Sequence, residues 1–500
     1  MNFLISAAQT NRGFYYAVAV CFVLKLLFAW IIPVVGDEAY FTIWGSYPAL
    51  GYYDHPPMAG WLMSGMLFLS EHPLVIRMPA VMSITLTAVI IHLVLQRWDA
   101  RKARIAALLF LISPVFLFNV IFTTDTPLIF FGFLSAITFF VALEKNQSLY
   151  FAASGVFLGL AFLSKYFAVL LALSFALHVI IFARSHYLNV ILLFLCALPF
   201  GAVNLYYNYN QCWYNILFNL INRQSGNEGY SVGGMLIFLA FLLYLIMPWI
   251  IWQLLQNKNT IMDRLKNTSL KFFITVSALP LIIFFFMSGF REVGLHWLFL
   301  FIVLAYPLYI SLPQTSLQKS LLYTGWFTFI HFILLVTVYF FPVNLLGWHD
   351  SYNNIVFYSK PGLVAHALKD YNSDFFATDS YSASATLSYN TSHYWSVFGT
   401  GSRYGREDDR ITDWRNLSGK NMLFFRRKEI QRDRIDPFFE STEYSVIEIK
   451  GANFYIVLAR NFNYEAYRKK VLSSIHDKYY NIPDMLPLGK CDFLQRYFTP

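Results

Sequence analysis

The stretch FYYAVAVCFVLKLLFAWIIPVVGDEAYFTIWGSYPALGYYDHPPMAG, residues 14–60, decides the fold. Residues 14–35 are apolar apart from Lys25, and at ~1.5 Å per residue they are long enough to cross a ~30 Å hydrocarbon core. A charge in mid-span is costly, so pairing or snorkelling is expected of Lys25 rather than catalysis. Immediately afterwards, residues 36–60 gather Asp37, Glu38, Asp54 and His55 among aromatics, Gly and Pro. Carboxylates collected at a membrane edge point to a site that handles a proton, a cation or a sugar.

The rest of the chain agrees. Of 500 residues, 57% are hydrophobic and 13% charged, with 51 Phe and 33 Tyr, which excludes an ordinary soluble domain. Apolar runs predict a polytopic α-helical membrane protein of about eleven transmembrane helices, near residues 14–35, 73–95, 103–122, 126–143, 149–164, 166–183, 187–204, 232–255, 270–288, 296–312 and 320–341. The first run has no small-residue cleavage site after it, so it is expected to remain as a helix.

With the N-terminus inside, the internal loops collect Arg97, Arg101, Lys102, Arg104, Lys258, Arg264, Lys266 and Lys271, while external loops hold only Arg77, Lys165, Arg223 and Arg291. That satisfies the positive-inside rule and argues for topology signals over nucleic-acid binding. It also puts seven acids outside, including Asp125, Glu228 and Glu292. Residues 1–341 therefore read as a membrane domain with external loops 36–72 and 205–231. Residues 342–500, with 20 Lys or Arg and 18 Asp or Glu, read as an external soluble domain.

Short apolar segments at 374–378, 422–425, 445–449 and 454–458 between polar turns predict an α/β fold there. In the loop 205–231, Trp213, Ile216, Leu217, Leu220 and Ile221 follow a helical period suited to the membrane interface. The aromatics of residues 206–214 read as an interfacial belt, with a lipid groove as the alternative, and GTGSRYGREDDR at 399–410 as a solvated loop, with phosphate or glycan binding through its Gly and Arg residues as the alternative. The four cysteines lack metal-ligand spacing, and a Cys212–Cys491 disulfide is left open.

The strings GDEAYFTIWG and GYYDHPPMAGWL resemble the first external loop of bacterial GT-C superfamily glycosyltransferases, in the branch shared by protein O-mannosyltransferases and the lipid A aminoarabinose transferase. TTDTPLIFF at 123–131, GLAFLSKYFAVL at 159–170 and REVGLHWLFLFIVLAYPL at 291–308 support the likeness. The resemblance implies a transferase that takes a sugar from a polyprenyl-phosphate carrier and gives it to an acceptor outside the inner membrane. Such a reaction needs an acceptor oxygen in line, a carboxylate for its proton and cations on the leaving phosphate.

The resemblance makes Asp37, with Glu38, the catalytic pair, against the alternative of a helix-capping pair at the interface. Asp54, His55, Asp125, Lys165, Arg291 and His296 are the candidates for holding the donor phosphate and sugar. Asp54 and His296 would repeat a divalent-metal pairing of the aminoarabinose transferase, although His55 stands where that relative has Lys. Lys165 and Arg291 could equally snorkel, His296 could be an interfacial His beside Trp297, and Asp125 could cap a helix before Pro127.

A single in-line displacement implies inversion. The expected donor is an undecaprenyl-phosphate sugar, and the expected acceptor a glycolipid, lipopolysaccharide or envelope glycan. Protein O-glycosylation is the alternative within the family, and a lipid or glycan transporter is the alternative from another class. A transporter would place ionisable groups near mid-membrane and show repeated halves.

Overall fold

The computed structural model describes residues 2–221, 229–265, 268–340, 349–391, 393–429, 431–487 and 489–498. Arg223, Glu228 and Lys266 lie outside the described residues, as does the expected domain boundary at 341–342. The chain divides into two compact units, the first made of Met1–Ile31, Ile76–Val203 and Gly226–Phe340, the second of Ile32–Val75, Asn204–Ser225 and Phe341–Pro500.

The first unit is helical. Among the described residues six helices are long and apolar enough to span a membrane: Asn11–Ile31, Met78–Ile112, Asp125–Lys145, Arg184–Asn210, Leu270–Ser288 and Gln314–Phe340. The fourth counts with the second unit from Asn204 onward. Helices Val232–Ile246 and Pro248–Gln256 make a seventh if taken as one span bent by 80°. That bend follows from sequence, because Met247 has φ +73° and Pro248 cannot donate a backbone hydrogen bond. Met78–Ile112 is broken where Asp99 leaves helical geometry, and its Oδ1 accepts from the N–H groups of Arg101 and Lys102, both at 3.0 Å. Asp99 thus caps the second arm, so residues 78–95 and 103–112 of the two expected spans fall on two arms of one interrupted segment, and Pro114–Phe118 forms a separate short helix.

Residues 296–312 do not form the continuous helix that their hydropathy predicts. They make a 3₁₀ turn at Leu295–Leu298, a short helix at Phe299–Val303 and a second 3₁₀ turn at Tyr306–Ser311 that carries Pro307. Leu298, Phe301, Ile302, Val303 and Leu304 are fully buried within the unit, so apolarity here reports burial in protein rather than a straight span.

Small residues set the close helix contacts. A Cβ on Gly155 would lie 2.1 Å from the Leu193 carbonyl oxygen, and one on Gly159 2.2 Å from the Phe200 ring. This G-x-x-x-G pair lets helix Ser148–Phe162 approach its neighbour. On the facing helix, Ser135 donates to the Ser154 carbonyl at 2.9 Å. Lys25 is buried and donates to the carbonyls of Phe116 and Leu117, the pairing expected of a charge in mid-span.

The second unit is built on a five-stranded sheet: β1 (Phe375–Thr378), β2 (Trp395–Val397), β3 (Met422–Arg426), β4 (Phe439–Ile449) and β5 (Ala452–Phe462). Their order is β2-β1-β3-β5-β4, with β1 parallel to both neighbours and β5 antiparallel to β3 and β4. The β4–β5 hairpin closes through Lys450 and Gly451, both at positive φ, as a right-twisted two-residue turn requires. Side chains alternate between two cores. Met422, Phe424, Val457 and Ala459 face one, while Leu423, Phe425, Phe454 and Ile456 face the other.

The first of these cores is completed by Tyr53, Tyr207, Tyr214 and Phe218, which come from the loops 36–72 and 205–231. The aromatic run at 206–214 is therefore not simply an interfacial belt, because Tyr207 and Tyr214 are buried in this core. In the expected amphipathic stretch Trp213 and Leu217 are buried, whereas Leu220 and Ile221 are exposed. Cys212 and Cys491 form a disulfide across a Cα–Cα distance of 4.7 Å, tying one loop to the chain's end.

Candidate functional site

In the second unit, Gly36 takes φ +60° and donates its N–H to Thr386 Oγ1 at 2.9 Å, which starts helix Gly36–Ser46. The residue before it, Val35, has no side chain to cap the helix, and Asp37 and Glu38 fall in the first turn, where the helix dipole favours negative charge. The pair separates by environment. Asp37 is exposed and accepts a 2.9 Å hydrogen bond from the Tyr381 hydroxyl, while Glu38 is buried.

Asp54 is also buried, and among the described residues its Oδ1 has no hydrogen-bond partner. Burial pushes its carboxyl up to about 7, and the negative charges of Glu407 and Asp37 push the same way. Its neighbour His55 meets the Trp44 ring edge-on, with centroids 5.9 Å apart.

Within the stretch 399–410, Gly401, Ser402 and Tyr404 are exposed as expected of a solvated loop, but residues 405–408 are buried. Glu407 is buried, accepts from the Tyr53 N–H at 2.9 Å and from Arg410, and donates its own N–H to Tyr40 Oη at 3.1 Å. Arg406 is buried too, with Nε 2.8 Å from Asp409. Tyr394 donates to Asp408 at 2.6 Å, and burial raises the Asp408 carboxyl to about 6. Charges this dense pair with one another when they are folded inward, which their composition alone does not reveal.

In the first unit, Asp125 begins helix Asp125–Lys145 instead of capping it; Thr124 holds the cap position. Lys165 lies between helices Ser148–Phe162 and Ala168–Phe182 and places Nζ 2.8 and 3.0 Å from the two Asp125 oxygens. Both side chains are under a tenth exposed. His296 Nε2 stands 3.9 Å from Asp125 Oδ2 with about half of its side chain exposed. Arg291 is exposed and enters no ion pair among the described residues.

Three residues far apart in sequence thus form one cluster, Asp125, Lys165 and His296, while Asp37 and Asp54 interact in the other unit. Tyr381 escapes a reading of the sequence because it belongs to no motif, and Glu407 because its stretch, 399–410, reads as solvated. The only hint was the density of charge at residues 406–410.

Asp54 and His296, the metal pairing implied by the resemblance, belong to different units. Among the described residues no three His, Cys, Asp or Glu side chains come together to hold an ion.

Residues 54–207 match the dolichyl-phosphate-mannose-protein mannosyltransferase family. The lipid A galacturonosyltransferase RgtD of Rhizobium johnstonii is 31% identical over 185 residues, 34% of this chain and 38% of that protein. The chain therefore matches well under half the length of that relative. ArnT from Cupriavidus metallidurans, solved bound to undecaprenyl phosphate, has a TM-score of 0.64 at 14% identity, covering 90% of this chain and 98% of the other. That likeness gives the fold: a multi-pass helical membrane protein with a small C-terminal sheet domain. In sequence the chain is similar to the protein mannosyltransferase family over residues 54–207 and to the galacturonosyltransferase over 34% of its length.

Proposed function

We propose that the chain is an inverting glycosyltransferase of the inner membrane, moving a sugar from undecaprenyl phosphate to a lipid A-type or other envelope glycolipid on the external face. The carrier is inferred from the ligand of ArnT and the acceptor from the name of the galacturonosyltransferase relative. The observation that supports the chemistry best is Asp37: an exposed carboxylate at a helix start, oriented by the Tyr381 hydroxyl, beside a buried Asp54.

In this reading Asp37 positions the acceptor hydroxyl and takes its proton. The acceptor oxygen bonds to the anomeric carbon as the bond from that carbon to the phosphate oxygen breaks, and polyprenyl phosphate leaves. Lys165 and His296 are the cations offered to the phosphate, with Arg291 as an exposed reserve, while Asp125 fixes the Lys165 ammonium in place. Glu38 and His55 support the Asp37 and Asp54 segments.

The test uses the purified chain and a radiolabelled undecaprenyl-phosphate sugar. Label should move from the carrier to a lipid A-type acceptor, and Asp37→Asn should cut transfer by roughly 10²–10⁴-fold. Transfer at the wild-type rate in that variant would remove Asp37 from the mechanism, and label that never leaves the carrier would favour a transporter.

A further inference from the structure

We propose that the crevice at the carboxyl ends of β1, β2 and β3 binds a phosphorylated sugar, as a site separate from the transfer chemistry. The topology gives the place. From β1 the chain runs through helix Tyr381–Asn390 to β2 on one side, whereas from β3 it leaves for β4 on the other. Connections that part in this way open a crevice beyond the strand ends, where open α/β sheets hold their ligands.

A cavity of about 450 Å³ lies there, within the usual size of small-molecule sites. Its walls come from all three strand ends: Asp379 just after β1, Gly399 to Gly401 just after β2, and Arg426 closing β3. Gly399 and Gly401 both take positive φ, so this turn follows a path that side-chain-bearing residues rarely adopt.

The chemistry of the walls selects the ligand. Arg426 holds Asp379 Oδ2 through Nε at 3.2 Å and Nη2 at 2.9 Å, a largely buried pair that neutralises itself. Arg434 and Lys470 remain at the rim against one carboxylate, Asp433, and all three are exposed. Among the described residues neither Arg434 nor Lys470 enters an ion pair, and the Lys470 ammonium stands 5.7 Å from the Phe438 ring centroid. A surplus of cations suits a phosphate. The Phe398 and Phe438 rings, with a carboxylate beside them, suit the apolar face and the hydroxyls of a sugar. None of Asp37, Asp54, Asp125, Lys165 or His296 lines this cavity, so the site stands or falls independently of the transferase mechanism.

Calorimetry on the purified full chain in detergent tests it, with glucose 1-phosphate, glucose and inorganic phosphate as separate probes and a monophosphorylated lipid A in mixed micelles as a fourth. Glucose 1-phosphate is expected to bind more tightly than either fragment. The double variant Arg434→Glu, Lys470→Glu, confined to exposed side chains, is expected to weaken that binding by about tenfold or more with unchanged thermal unfolding. Tighter binding of the lipid, lost in the same variant, would identify the source as a glycolipid headgroup; tighter binding of the soluble ester would identify a free sugar phosphate. No heat from glucose 1-phosphate at about 10 mM, or equal affinity in the variant, would overturn the proposal.

Discussion

Asp125 in the membrane unit and Asp54 in the second unit are both buried aspartates, yet they are stabilised in opposite ways. Asp125 has a lysine ammonium within 3.0 Å of each oxygen. Asp54 has an oxygen without a hydrogen-bond partner among the described residues and a carboxyl pushed up to about 7. A buried carboxylate is kept charged by a partner, or it retains its proton. The first arrangement gives a fixed charge pair and the second a group poised to exchange a proton near neutral pH. Within one chain, then, the same residue type is paired with an ammonium in one place and pushed toward its protonated form by burial in another.

The comparison breaks most visibly if Lys165 is removed. Lys165→Met would leave Asp125 buried without its ammonium partner, which costs ~3–5 kcal/mol, and transfer should fall with it by about 100-fold or more. Adding Asp125→Asn should recover much of the stability without recovering transfer, because the phosphate would still lack its cation. Thermal unfolding in detergent and the label-release assay read the two effects separately. Recovery of both in the double variant would reduce the pair to a structural element.

Asp54→Asn tests the other half, and here the sign depends on pH. The folded carboxyl titrates near 7 against an ordinary value near 3.8, so the folded state holds its proton more tightly than the unfolded state. The stability this contributes is complete below about pH 4 and is lost as pH rises through 7. At ~1.4 kcal/mol per pH unit the full loss is on the order of 4 kcal/mol. Asn, which cannot ionise, should therefore unfold like the wild type below about pH 4 and at higher temperature than the wild type at pH 8. Parallel pH profiles for the two proteins would mean that Asp54 is not held protonated by burial.

The second unit depends on segments far apart in the chain, and the Cys212–Cys491 bond ties two of them together. Cys491→Ser should lower the unfolding temperature, by an amount typical of native disulfides at ~2–4 kcal/mol. The same variant should move the titration of Asp54 toward ordinary values if the disulfide keeps that segment buried. An unchanged pH profile would show that the aromatic core around Tyr53 and Tyr214 suffices.

How much of this could be read from the sequence follows from which forces are local. The multi-pass helical character of the membrane part, the α/β character of the tail and the strands at 375–378 and 422–426 were legible because hydropathy and two-residue alternation are local patterns. Asp125 and Lys165 were singled out through their motifs, but not as a pair, since 40 residues separate them. The second half of the 399–410 stretch was misread because a buried charge network and a solvated loop have the same composition; only the fold brings Tyr53 to Glu407 and Arg410 to Tyr47. Residues 296–312 were misread for the complementary reason. Burial within protein asks for the same apolar side chains as burial in lipid, so hydropathy cannot distinguish a straight span from a broken core segment.

The smallest effect is the most discriminating for Asp37. Unlike Asp54 and Asp125, Asp37 is exposed, and it accepts a hydrogen bond from the Tyr381 hydroxyl at 2.9 Å. Tyr381→Phe removes that bond and little else, at a cost of ~1 kcal/mol. If the hydroxyl orients the carboxylate toward the acceptor, the loss should appear in kcat as roughly a five-fold decrease with KM for the carrier unchanged, since orientation matters in the transition state and not in donor binding. If Tyr381 instead only packs the helix start, unfolding should shift while kcat holds. A fall in kcat at constant unfolding temperature would make Asp37 a group whose direction, and not only whose charge, is set by the C-terminal domain.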